Sequence, residues 1–360
     1  LAIKLCKEIK RNINNFLGLY WYLKEHIKRK TNEAKKMIIF LSDNIDVKNL
    51  PVAAVDSSYV QMKCFGHYYA VFLSAAYVFF KEGLKNIETP SISLSVKIDQ
   101  LEQDGIPPTK KATLRMKYME ISAIQEVSEE MDRKVSRCRY AQIKGVIMLD
   151  GPIIDPPSVD DREYISKKIE AINIAYLKNV EIVGVIKRYH SRVLSKRLLN
   201  ENTVTDRELI PMIFLEILKR SKKVQGSYIA TIPFKVVPED NILPSRVLEV
   251  YKEELKNWGI DKNIYCGYIY LAPNIKPLKI EFLAENDEEA KEKIKFYTIL
   301  LTKWYIPGFT IPFPVALAHI ACSLRKRVVR KLLIEIISSM TNLLDPEEIA
   351  TLPYLITMGE

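Results

Sequence analysis

Paired cysteines are missing from this chain. Its five cysteines stand at positions 6, 64, 138, 266 and 322. The number is odd and no CxxC spacing occurs, which argues against a disulfide framework or a zinc site and for a reducing compartment. Histidine is sparse and dispersed (His26, His67, His190, His319), so a histidine-rich metal centre is not expected. Glycine is scarce, with 12 residues in 360. Neither GxxxxGK followed by Ser or Thr nor GxSxG is found, which excludes P-loop nucleotide hydrolysis and a serine-hydrolase elbow. The longest apolar stretch, Tyr68–Phe80, falls short of the roughly 18–20 residues that a membrane span needs, and reads as a buried pair of strands. No signal-peptide pattern is visible, and a cytoplasmic protein with no membrane partner is expected.

Positive charge, by contrast, is in excess. Fifty-four Lys and Arg stand against 44 Asp and Glu, a formal net charge of +10. A balance of this sign favours a polyanionic partner. The excess is uneven: residues 1–40 hold ten basic and three acidic residues, and Arg325, Lys326, Arg327, Arg330 and Lys331 form a second cluster.

Hydrophobic periodicity orders the elements. Residues 1–40 read as helix, with Leu5, Ile9, Ile13, Phe16, Leu17 and Tyr20 at three- and four-residue steps. Strands follow over Val52–Asp56, Tyr59–Phe65, Tyr68–Phe80 and Ser91–Ile98, with a Gly66-His67 turn. A helix over 110–137 carries Leu114, Tyr118, Ile121, Ile124 and Met131 on its buried stripe. Continuous apolar strands at 145–150 and 180–187 flank a helix over 160–178, whose inward residues are Ile165, Ile169, Ile172 and Leu177. Such runs suit a parallel sheet covered on both faces. An antiparallel meander feeding two crossovers is the order of an α/β, ribonuclease-H-like mixed sheet with flanking helices. The expected divisions are an N-terminal helical arm (1–45), the ribonuclease-H-like core (46–200), an accessory α+β insertion (201–290) and C-terminal helices completing the core (291–360), the last long helix running over 315–340.

Two acids are placed for chemistry. Asp56 ends the apolar run Val52-Ala53-Ala54-Val55, and Asp150 ends Val146-Ile147-Met148-Leu149; each is followed by turn-forming residues. In this topology the two acids terminate adjacent parallel strands about 4.8 Å apart. Carboxylates that close repel unless a cation sits between them. A pair of hard cations held by oxygen ligands can activate water and stabilise the leaving oxygen of a phosphodiester, and manganese or magnesium fits such ligands. Helix 110–137 offers Glu120 or Glu126 as a third ligand. At 100° per residue Glu120 lies roughly 80° from the centre of the apolar stripe and Glu126 roughly 160° away, which favours Glu120. Asp155 is read as a turn former, with an outer-shell acid as its functional alternative.

Basic residues extend from this edge. Lys187 and Arg188 end the strand after Asp150's helix and can hold a phosphate, Arg by a fork of donors and Lys as a point charge. His319 opens the last long helix, where Ser323, Lys326, Arg327 and Arg330 share its side and Leu317, Ile320, Ala321, Leu324 and Val328 form the apolar side. That stripe suits a nucleic-acid backbone; a solvated cationic face beside a structural histidine is the alternative.

Three blocks resemble the NurA nuclease family. They are Ala54-Val55-Asp56-Ser57-Ser58, Met148-Leu149-Asp150-Gly151-Pro152 with Met119-Glu120 before it, and Pro312-Phe313-Pro314-Val315-Ala316-Leu317-Ala318-His319. The resemblance implies a core binding two manganese ions, with Asp56, Glu120, Asp150 and His319 at the catalytic and metal-binding positions. It also implies a homodimer, 5′-to-3′ exonuclease and endonuclease activity on DNA, and DNA-end processing in archaea with a HerA-type hexameric ATPase and a single-strand-binding protein. Two positions depart from the family pattern: Ser57 replaces a glycine and Ile311 replaces a tyrosine. The second departure favours the rival reading, a non-catalytic DNA-binding or scaffold paralogue.

Overall fold

The computed structural model describes residues 2–41, 47, 49–63, 68–84, 88–100, 108–135, 143–155, 159, 161–200, 204–220, 228–237, 245–272, 275–325, 327–329, 331 and 335. In chain order the elements are α1 (Ala2–Arg29), α2 (Thr31–Lys36), β1 (Ile38–Leu41), β2 (Val52–Lys63), β3 (Tyr68–Leu84), β4 (Ser91–Gln100), α3 (Pro108–Lys134), β5 (Gly145–Leu149), α4 (Arg162–Leu177), β6 (Val180–Ile186), α5 (Val193–Leu199), α6 (Asp206–Arg220), β7 (Tyr228–Thr231), β8 (Phe234–Lys235), α7 (Ser245–Asn257), β9 (Asn263–Tyr270), β10 (Leu278–Ala284), α8 (Asp287–Lys303) and α9 (Phe313–Cys322). They group into two compact units. One comprises residues 1–46, 186–248 and 262–310, and the other residues 47–185, 249–261 and 311–360. The N-terminal helices and most of the 201–290 region therefore share one unit.

The unit that carries Asp56 and Asp150 has the strand order β6-β5-β2-β3-β4. β2, β3 and β4 pair antiparallel, while β2–β5 and β5–β6 pair parallel. This is the meander followed by crossovers that the hydrophobic pattern implies, and the fold is ribonuclease-H-like. The apolar runs account for its core: Val52, Ala53, Ala54 and Val55 on β2 and Val146, Ile147, Met148 and Leu149 on β5 are all fully buried. α3 packs on β2, β3 and α4, and α9 packs on β2, β3 and β5. Asp161 caps α4 by accepting from the Tyr164 N–H, which satisfies one of the donors that a helix start leaves open.

In the other unit β1, β7, β9 and β10 follow one another in an antiparallel sheet, with β8 also paired to β9. Asp206, fully buried, accepts from the backbone N–H groups of Leu194 and Ser195 and so fixes the start of α5.

Several expected details differ. Residues 38–41 are a strand, because Ile38–Leu41 pairs with β7; tertiary pairing overrides the helical run. β2 does not end at Asp56. β3 is long enough to pair with it as far as Lys63, so Ser57 and Ser58 are strand residues and only the pairing to β5 stops at Val55. Tyr68–Phe80 is part of one strand instead of a pair. Leu177 is 76% exposed, at the C-terminal end of α4. α9 stops at Cys322, where Ser323 turns extended, so no continuous helix carries the basic stripe. His319 lies in the last turn of α9, and its neighbours Ile320 and Val328, expected inside, are exposed.

Gly184 on β6 shows how tightly the loop after Asp150 is seated. A Cβ there would stand 2.7 Å from the Gly151 carbonyl oxygen and 3.0 Å from the Ile153 nitrogen, and backbone atoms cannot give way as a flexible side chain can. Gly184→Ala is expected to cost about 1–3 kcal/mol of stability through overpacking. Urea unfolding checks this, and a wild-type midpoint would contradict it.

Candidate active site

The site begins where the parallel pairing of β2 with β5 ends. Val55 faces Leu149, and the Asp150 N–H donates to the Val55 carbonyl at 3.0 Å. The next residues, Asp56 and Asp150, therefore emerge side by side. Strand alternation then sorts the side chains of β2. Asp56 and Ser58 meet α9: Asp56 Oδ2 lies 2.7 Å from His319 Nδ1 and accepts from the Cys322 thiol at 3.4 Å, and Ser58 Oγ donates to the Cys322 carbonyl. Ser57 turns the other way, toward α3, and donates to Glu120 Oε2 at 2.6 Å.

Asp56, Asp150 and His319 form a cluster whose ligand atoms all lie within 4.8 Å of one another. His319 Nδ1 is 3.4 Å from Asp150 Oδ2. The two carboxylates are nearly buried, whereas the His319 side chain is 54% exposed. Burial, and then the charge of Asp150, raises the Asp56 carboxyl to about 6, against the lowering hydrogen bond from His319. Burial and the neighbouring Asp56 also push the Cys322 thiol up. Two carboxylates and one imidazole are a donor set for a hard or borderline divalent cation, and such an ion would relieve the repulsion that this geometry creates. The residues present thus fit a metal centre.

Glu120 is buried, while Glu126 is exposed. Glu120 stands beside the cluster, near enough that its charge also raises Asp56. Lys117, one helical turn earlier, donates to both of its carboxylate oxygens, at 3.0 and 2.9 Å.

Asp155 is no exposed turn former. It is fully buried, and its Oδ2 accepts from Lys168, from the Tyr164 hydroxyl at 2.7 Å and from the Tyr251 hydroxyl at 3.2 Å. Burial would raise this carboxyl, but Lys168 and Lys117 hold it below the usual range. Lys117, half-buried in this layer, would be pushed down by desolvation, yet Glu120 and Asp155 hold it above the ordinary lysine range.

Sequence reasoning overlooked Lys117, Lys168, Tyr251 and Cys322. Three of them had a periodic signal. Lys117 is three residues before Glu120, and Cys322 is three residues after His319. Lys168 interrupts the stripe of Ile165, Ile169 and Ile172, so it had to be buried and paired. Among the proposed DNA contacts, Lys187 is half-buried and Arg188 exposed just after β6, and Arg327 is exposed beyond α9. Lys326 and Arg330 lie outside the described residues. Ile311 is buried.

Sheet order and an acidic cluster at the edge of the parallel strands define an α/β protein of the ribonuclease-H-like class. The NurA domain model matches residues 50–320, and the chain belongs to the NurA family. The structure is similar to that of the NurA nuclease from Sulfolobus solfataricus, with a TM-score of 0.62 and 13% identity over 95% of this chain and 98% of that one. A NurA crystal structure with manganese gives a TM-score of 0.56 and 11% identity over 94% and 99%. No curated protein matches the chain in sequence.

Asp155→Asn would leave Lys168 buried without its counter-charge, a loss of about 3–5 kcal/mol. The sign with pH follows from the lowered carboxyl. Its contribution is complete above the unfolded value near 3.9 and disappears as pH falls through the lower folded value. Urea midpoints of wild type and variant should differ most at neutral pH and converge below about pH 4; a gap that persists unchanged into acid would count against the charge pairing.

Proposed function

We propose that this chain is a metal-dependent DNA nuclease. The observation that carries the reading is the convergence of Asp56, Asp150 and His319, drawn from three separate elements, to within 4.8 Å in a chain of the NurA family. Asp56, Asp150 and His319 would hold the metal, with Glu120 completing the ligand set from α3. Manganese is the preferred ion, supported by the donor set and by the manganese-bound NurA structure; magnesium is the alternative, and two ions are proposed. A bound ion of this kind supplies an activated water and stabilises the leaving oxygen of a phosphodiester.

The protein's own groups do the positioning. Asp56 orients His319 through Nδ1, the ring nitrogen that faces both acids and would turn to the metal, which leaves the other ring nitrogen for water or phosphate; His319 is the member of the cluster most open to solvent. Lys187, Arg188, Lys326, Arg327 and Arg330 would hold the DNA backbone. The family relationship extends the proposal to 5′-to-3′ exonuclease and endonuclease action at DNA ends, as a homodimer working with a HerA-type hexameric ATPase and a single-strand-binding protein in the cytoplasm. Among the described residues no helix is long and apolar enough to cross a membrane. Buried Ile311, where the resemblance implies tyrosine, favours the scaffold alternative; that reading predicts no cleavage with manganese even when the ATPase is added.

Asp56→Asn and Asp150→Asn should each abolish manganese-dependent cleavage and weaken manganese binding by at least about tenfold, while DNA affinity in EDTA stays at the wild-type level. Parallel loss of cleavage and DNA binding would sink the assigned role. Removing charge at Arg188 and Arg327 together should instead weaken DNA binding and flatten its salt dependence by up to about two in log–log slope; an unchanged slope would take those residues off the DNA path.

A further inference from the structure

Lys117 has an unusual pair of neighbours. Its ammonium donates to both oxygens of Glu120. On its other side, 3.5 Å away, stands Oδ1 of Asp155. That oxygen is buried and has no hydrogen-bond partner among the described residues, although Oδ2 of the same carboxylate accepts from Lys168, Tyr164 and Tyr251. A buried carboxylate oxygen with an ion pair at 3.5 Å but no hydrogen bond is under-satisfied, and the asymmetry calls for a state in which the bond is made. The shift from 3.5 Å to hydrogen-bond length is only about half an ångström. A lysine ammonium is a compact charge on a flexible stem, suited to such an exchange.

We propose that Lys117 is a resident counter-cation for the acidic cluster: without metal it neutralises Glu120, and when a divalent ion draws on Glu120 the ammonium passes to Oδ1 of Asp155, a proposal that rests on the metal-binding reading above. The arrangement keeps Glu120 ordered before the ion arrives. It also makes Lys117 a competitor of the metal, since ion and ammonium claim the same carboxylate. Asp155 and Lys168 supply the other end of the exchange: Lys168 stays on Oδ2, and Oδ1 remains open to Lys117. Lys117 is a positioning residue in this account and does not touch the substrate.

The test is manganese affinity, read from the electron paramagnetic resonance signal of the free ion with no substrate present. Lys117→Met should bind manganese roughly tenfold tighter than wild type, because the competing charge is gone. Equal or weaker binding by a folded variant means that Lys117 only props Glu120 in place, and overturns the proposal. If Lys117→Met does not fold, wild-type crystals grown with manganese and with EDTA decide. Lys117 Nζ should be bonded to Asp155 Oδ1 with manganese and to Glu120 with EDTA. The same Lys117–Glu120 pairing in both crystals, with manganese at Asp56 and Asp150, overturns the exchange and leaves the nuclease reading standing. Crystals and solution in which manganese ignores Asp56 and Asp150 sink both.

Discussion

The register between β2 and β5 creates the site. Val55 opposite Leu149 is the last parallel pair, and a carboxylate stands at the next position of each strand. A slip of one residue would turn Asp56 to the other face of the sheet, away from α9 and toward α3. The fully buried apolar residues on both strands prevent that slip, because each would have to exchange a core position for a polar one. The same hydrophobic runs that fold the sheet therefore set the distance between the acids. α9 then adds the third group: its buried residues Val315, Ala318 and Cys322 lock the helix against β2, β3 and β5, and this brings His319 to Asp56.

Holding several carboxylates in so little solvent is unfavourable unless opposite charge is nearby. The chain meets that cost on the α3 side of the sheet, where Lys117 bridges Glu120 toward Asp155 and Lys168 closes on Asp155. Tyr164 and Tyr251 add hydrogen bonds to Oδ2 of that acid without adding charge. On the α9 side the compensation is thinner. Asp56 has His319, the thiol of Cys322 and the Ser57 backbone N–H, and its carboxyl is raised accordingly. One face of the sheet edge is thus electrostatically finished and the other is left wanting positive charge.

What the sequence disclosed follows from what local pattern can encode. The apolar runs identified β5, β6 and the start of β2, and their order implied the ribonuclease-H-like sheet. The two terminal acids were visible because a charge directly after four buried residues is rare without a reason. What stayed hidden depended on partners distant in the chain. β2 continues past Asp56 because β3 happens to be long. Residues 38–41 leave the helical pattern because β7 offers them a ladder. α9 ends at Cys322 although Leu324 and Val328 continue a plausible apolar spacing, since the Ser58 hydroxyl takes the Cys322 carbonyl and accepts from the Leu324 N–H, bonds that a continuing helix would have kept. Asp155 looked like a turn residue because nothing in its own segment marks it as buried, although the lysine that pairs with it thirteen positions later interrupts an apolar stripe.

The charge balance of the whole cluster argues for a cation more directly than any one distance. Asp56, Glu120, Asp150 and Asp155 bring four carboxylates, and Lys117 and Lys168 bring two ammonium groups, all drawn from elements of the same unit. The formal remainder is two negative charges, the amount that one divalent ion neutralises. His319 reduces that remainder only if protonated. Protonating Asp56 is the alternative relief, the direction in which burial and the charge of Asp150 push its carboxyl. A second divalent ion would leave the cluster two charges positive, of which a phosphodiester offsets one. The charge of the edge therefore matches one divalent ion, and any second ion would depend on negative charge brought from outside.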